Sequence, residues 1–223
     1  MNARDKILQR IRSSLSQPGR ISAEAPEIPE IYPKTEPKIE VLQQRFAEAL
    51  TGLSGECFFC PSVEAAAERL TALAQEQGWN TFSSTEHPLL WDVAQFPREA
   101  FYLGEADGET DKNRLSQIPV SLLFPQFLLA DTGSAVMLNR TAHERLSTYL
   151  TPACVIVAKT SRLREHLPAA WSEIARQTRD GSVRGEYVLV TGPSRTADIE
   201  KITVLGVHGP KKVVALLIEE KQE

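Results

Sequence analysis

The sequence predicts an α/β fold, a mainly parallel sheet with helices on its faces, preceded by a tethered amino-terminal helix. Three observations carry that prediction. From residue 38 onward, short apolar runs rich in β-branched and aromatic residues alternate with segments of helical spacing. Strand and helix in alternation make βαβ units, whose crossovers leave neighbouring strands parallel. Ahead of this body, Pro18, Pro26, Pro29, Pro33 and Pro37 favour an extended linker. The chain therefore divides into an arm, residues 1–37, and an α/β domain, residues 38–223.

Taken in order, Ile7, Leu8, Ile11 and Leu15 form one apolar face of a short amphipathic helix with arginines opposite. Beyond the linker, Ile39, Leu42, Phe46, Leu50 and Leu53 keep helical spacing, and Gly52 and Gly55 supply stop signals. Residues 56–60 read as a strand. Ser62 caps a helix carrying Val63, Ala66, Ala67, Leu70 and Ala74, Gly78 ends it, and Trp79 to Phe82 reads as the next strand. Ala100 to Leu103 reads as a further strand and Gly104 to Lys112 as a loop. Val120 to Leu138 reads as two strands around a tight turn at Asp131-Thr132-Gly133-Ser134. After the polar stretch Asn139–Leu150, Val155 to Val157 is apolar and extended. Leu163, Leu167, Ala170, Trp171 and Ile174 mark a helix ending near Gly181. Tyr187 to Val190 reads as a buried strand and Val213 to Ile218 as the last one.

Composition narrows the function classes. A content of 42% hydrophobic residues is enough for a real core, and no run approaches the roughly 18 apolar residues of a membrane span. The amino end lacks an apolar signal core, so the expected compartment is the cytoplasm. A net charge of −4 argues against broad nucleic-acid binding, although the first twenty residues are basic. Three cysteines suit a reducing compartment. Cys57 and Cys60 spell Cys-x-x-Cys, but a strand at 56–60 points residues three apart to opposite faces, and no second pair completes a metal site.

The chemistry concentrates between Tyr187 and Pro210. Gly192 and Pro193 break the strand after Thr191, and Ser194 or Thr196 is placed to cap a following helix with Asp198 and Glu200 in its first turns. Such a turn offers backbone N–H groups, hydroxyls and the Arg195 guanidinium to a carboxylate or phosphate. An ordinary βα connection fits the same pattern, and Asp198 competes as a structural counterion for Arg195. His208, between Gly206 and Gly209, is a general acid or base type near that anion site. In the other turn, the Asp131 carboxylate and the Thr132 and Ser134 hydroxyls flank Gly133 at strand ends, a usual place for ligand groups in α/β sheets. A lone Asp-Thr-Gly does not make an aspartic protease, which needs two such carboxylates.

Residues 191–201, TGPSRTADIEK, followed by GVHGP at 206–210, resemble the carboxy-terminal signature of the LUD-domain family, in particular its lactate utilization protein C group. ADTGSAVML at 130–138 resembles the family's second motif, with Asp131 where Glu is more frequent, and RDKILQRIRSSL at 4–15 resembles its amino-terminal helix. The resemblance implies a Rossmann-like sheet of the sugar-phosphate isomerase and CoA-transferase type. It also implies one component of a bacterial system that oxidises L-lactate to pyruvate, with iron-sulfur clusters on partner subunits and no cofactor on this chain. Arg195, Thr132 and the Thr191–Thr196 loop would hold a small carboxylate, with His208 or Asp131 as base. Two other readings stay open: a stand-alone CoA-transferase-like enzyme or hydrolase with Asp131 as nucleophile, and an assembly subunit that docks through residues 1–37.

Overall fold

Apolar runs that are buried on both faces read as continuous hydrophobic strands, and the last strand of the chain illustrates why. Val213, Ala215 and Leu217 pack into one cluster while Val214, Leu216 and Ile218 pack into another, so each face of the strand meets its own core. The computed structural model describes residues 3–16, 37–104, 111–179, 186–197, 203–205 and 209–220. They fall into two units, 1–35 and 36–223. In the first, α1 (Ala3–Ser16) carries Ile7, Leu8 and Ile11, all exposed.

In the second unit, β1 (Glu56–Cys60), β2 (Phe82–Ser84), β3 (Phe101–Tyr102), β4 (Val120–Leu123), β7 (Ala153–Lys159) and β12 (Lys212–Ile218) form a six-stranded sheet in the order β1-β12-β7-β4-β2-β3. Every pairing in it is parallel. Helices α3 (Val63–Gln77) and α4 (Pro88–Val93) cover one face, burying Leu70 and Leu90 against Phe82, Val155 and Leu216. Fully burying each such side chain stabilises by about 1.5–3 kcal/mol. The other face meets Leu42, Phe46 and Leu50 of α2 (Ile39–Gly52).

The same face also carries a second sheet, in the order β8 (Leu163–Arg164), β5 (Phe127–Leu129), β6 (Ser134–Asn139), β9 (Glu186–Val190). Its period of two is explicit: Leu128 points to the inner cluster, whereas Phe127 and Leu129 meet Ala170 and Ile174 of α7 (Leu167–Arg179). Shorter helices α5 (Lys112–Ser116) and α6 (Ala142–Ser147) and a hairpin of β10 (Arg195–Ala197) with β11 (Thr203–Leu205) complete the described elements. No helix among the described residues is long and apolar enough to cross a membrane.

Several local expectations are corrected. Val120–Leu138 holds three strands, because Pro125 separates β4, which joins the parallel sheet, from the antiparallel β5–β6 hairpin. Trp79 lies in a connection, its N–H bonded to the Ala74 carbonyl after Gly78 closes α3 in a left-handed conformation, and β2 starts only at Phe82. Leu163 is in a strand, so α7 starts later than its spacing implied. Tyr187–Val190 is an antiparallel edge strand with Leu189 exposed, not a buried one. Cys57 and Cys60 do take opposite faces of β1, each packed against a different cluster.

Candidate functional site

The two motif turns meet. Ser134 Oγ lies 2.8 Å from Thr191 Oγ1, donates to Thr132 Oγ1 at 2.8 Å, and Thr132 Oγ1 donates to Asp131 Oδ1 at 3.2 Å. A hydroxyl has one proton to give. Since Ser134 spends its proton on Thr132, Thr191 must donate to Ser134, and the chain runs one way, Thr191 to Ser134 to Thr132 to the Asp131 carboxylate. Aligned hydroxyls of this kind polarise one another. Asp131 and Thr132 are exposed, whereas Ser134 is buried at the start of β6.

Both turns close on the end of α2. Gly133 has φ +62°, and a Cβ placed on it would sit 2.5 Å from the Leu50 backbone nitrogen; Gly192 has φ +71°, and its Cβ would come within 2.9 Å of the Leu53 Cβ. Glycine is therefore required twice, for backbone conformation and for contact. Ser54, whose φ of 67° is unusual for a side-chain-bearing residue, accepts a hydrogen bond from Arg195 Nη2 at 2.8 Å. Arg195 is exposed and in no ion pair among the described residues. Leu50 to Ser54 leads into the first residue of β1, and Pro210 accepts from the Ser194 N–H at 2.8 Å just before β12. The cluster thus lies at the amino-terminal edge of the parallel sheet, not at the carboxyl ends where α/β ligands usually bind.

One expectation about this site is overturned. Where the capped helix is expected to begin, residues 195–197 are strand: Arg195, Thr196 and Ala197 pair antiparallel with Leu205, Val204 and Thr203. The β-branched run Ile202-Thr203-Val204 favours a strand, so local propensity defeats the capping pattern. The Ser194 N–H is consumed by the Pro210 carbonyl and is not offered to an anion there. Asp198 and His208, the rival counterion and the candidate base, lie outside the described residues.

A second concentration of polar groups stands at the opposite edge, and sequence reasoning missed it. A cleft of about 210 Å³ opens where β2 and β4 end, lined among others by Thr85, His87, Phe124, Asn139, Arg140 and Arg162. The His87 ring stacks on Phe124 at 3.5 Å, and its Nδ1 accepts from the Leu89 N–H at 3.2 Å, which puts the proton of the neutral ring on Nε2. Burial, then the nearby Arg162 charge, holds the His87 pKa below the usual histidine value. Asn139 is buried, and its Nδ2 has no hydrogen-bond partner among the described residues. Leaving such a donor unpaired costs about 1–3 kcal/mol. The only sequence signal was an asparagine ending an apolar strand beside an arginine.

Behind the cleft, His143 Nε2 meets the Ser84 carbonyl at 2.9 Å, and Ser83 Oγ bonds Ser147 Oγ at 2.7 Å. With its Nε2 proton held by that carbonyl and Ser83 at 3.4 Å, this buried histidine does not serve as a base for the serine. Burial lowers its pKa and keeps it neutral. Among the described residues no group of three or more His, Cys, Asp or Glu is placed to hold a metal. The Cys57 and Cys154 thiols are pushed up to about 12 by burial, which makes them poor nucleophiles and ligands.

A family model described as the LUD domain matches residues 43–218, spanning both motif turns and the whole parallel sheet. The chain belongs to the LUD-domain family. It is 23% identical to an uncharacterized protein, YkgG, of Escherichia coli K12, over 99% of this chain and all of that one. It is 30% identical to lactate utilization protein C of Bacillus pumilus over 52% of this chain and 49% of that protein. With the Geobacillus kaustophilus protein of the same name it shares 26% identity over 68% and 58%. The chain thus matches about half the length of these lactate utilization relatives. A crystal structure of a DUF162 family protein from Deinococcus radiodurans superposes with a TM-score of 0.55 at 13% identity, covering 82% of this chain and 99% of that one, which supports the LUD-domain fold.

Proposed function

We propose that this LUD-domain chain serves in the utilization of L-lactate, as the component of the lactate-to-pyruvate system that carries no iron-sulfur cluster, and that its joined turns hold a small anionic ligand. One observation carries the reading: a one-way hydroxyl chain from Thr191 through Ser134 and Thr132 ends on the exposed Asp131 carboxylate, while Arg195 is anchored on the same end of α2. An α-hydroxy acid needs a cation for its carboxylate and a base for its hydroxyl proton. Arg195 and Asp131 are those groups, and the relatives named lactate utilization protein C supply the substrate class.

The redox centres are assigned to partner subunits. Cys57 and Cys60 on opposite faces of β1, with Cys154 inside the core, support that assignment, since they have no common point at which to ligate a cluster. Replacing Arg195 by Ala in the full chain is expected to abolish lactate-dependent growth while leaving expression and thermal unfolding unchanged. Normal growth of that strain removes Arg195 from the mechanism.

A further inference from the structure

The cleft at the carboxyl ends of β2 and β4 is separate from the joined turns, and its polar groups are arranged differently. Its two carboxylates are already engaged: Glu86 pairs with Arg98 at 3.0 Å, and Glu144 accepts from the Arg140 and Thr141 N–H groups in the capping box of α6. Its cations are paired with no carboxylate among the described residues: neither the Arg140 nor the Arg162 guanidinium is in an ion pair, and Arg162 spends one N–H on the Gln126 carbonyl at 3.2 Å. To these are added the unpartnered Nδ2 of Asn139, in a residue only 5% exposed, and the Nε2–H of His87. With Arg98 counted, the residues at the cleft bring three guanidinium groups against two carboxylates, an excess of one positive charge, and Leu123, Phe124 and Met137 are its apolar part.

A ligand that satisfies such a lining brings acceptor oxygens, negative charge and a short carbon skeleton. We infer that this cleft binds a small organic acid, its carboxylate facing Arg140 and Arg162 and a further oxygen accepting from the His87 Nε2–H. A volume of about 210 Å³ suits a metabolite of a few carbons, being below the roughly 300 Å³ at which sites for larger ligands begin. The location agrees: in open α/β sheets, ligands settle outside the carboxyl ends of the strands.

The test is calorimetric titration of the full chain with L-lactate, pyruvate, succinate and inorganic phosphate, with the side-chain amides followed by 1H–15N spectra. Saturable binding of at least one of the acids is expected, with the Asn139 NH2 pair shifting on binding. Arg140→Ala and Arg162→Ala each weaken it about tenfold or more, as loss of a charge-assisted hydrogen bond does. His87→Phe, which keeps the ring stacked on Phe124 and removes the Nε2–H, weakens binding while leaving the melting temperature near that of the parent chain. Binding that survives Arg195→Ala but falls in the Arg162 variant upholds the cleft and counts against the turns as the ligand site. The inference is overturned if no acid binds at millimolar concentration, if phosphate alone binds, or if binding falls in Arg195→Ala and is untouched by both cleft arginine variants. That last result would leave the reading of the turns standing.

Discussion

The joined turns and the cleft are both polar, yet one is internally paired and the other is not. At the turns, three hydroxyls and a carboxylate satisfy one another in sequence, and two glycines press onto the end of α2. At the cleft, among the described residues, Asn139 Nδ2 has no hydrogen-bond partner and the Arg140 and Arg162 guanidinium groups are in no ion pair. Paired polar groups hold a shape without a ligand, whereas unpaired ones carry a standing cost that a ligand relieves. The turns thus hold Asp131 and Arg195 in place without a ligand, whereas the cleft, as inferred above, is completed only by one.

That contrast is broken most forcefully at Gly133. Gly133→Ala meets both a left-handed backbone and a Cβ position 2.5 Å from Leu50 N, whereas Gly78→Ala has a comparable φ of +69° and open space around it. Strained φ and overpacking each cost about 1–3 kcal/mol. Gly133→Ala is expected to lose about 3 kcal/mol or more by urea unfolding and Gly78→Ala about 1 kcal/mol. Equal losses would mean that the turn does not bear on α2.

Acidification sharpens the other side of the contrast. Burial lowers the folded-state pKa of His143 and of His87 below the ordinary histidine value. The unfolded chain then binds more protons as pH falls through about 6.5, so stability is greatest above that value and declines below it toward the depressed pKa values. Urea midpoints should fall between pH 7.5 and 5.5, and His143→Gln should flatten the fall. An unchanged slope in that variant would mean that the network behind the cleft does not depend on a neutral ring.

The layered α/β plan was legible because its signals are local and redundant. The capping hydroxyl of Ser62, the left-handed Gly78 and the doubly buried run of β12 each specify an element from neighbouring residues alone. The joining of Asp131-Thr-Gly-Ser with Thr191 was legible as two motifs, although not as a directed hydroxyl chain. What failed was competition between signals. Ser194 and Thr196 offer a helix cap and also flank a β-rich hairpin, and pairing with Val204 and Leu205 decided the outcome. Ser54 and the cleft were invisible for another reason: His87, Phe124, Asn139 and Arg162 come from four separate parts of the chain, and only the strand order brings them together.

A double-mutant cycle on Ser134→Ala and Thr191→Val tests the scaffold most directly. If the two hydroxyls bond across the turns, the losses of the single variants are not additive, and the unfolding free energies give a coupling of about 0.5–1.5 kcal/mol, the usual worth of one hydrogen bond. Strict additivity would contradict the account, because it would mean that the two motif turns stand side by side without being joined.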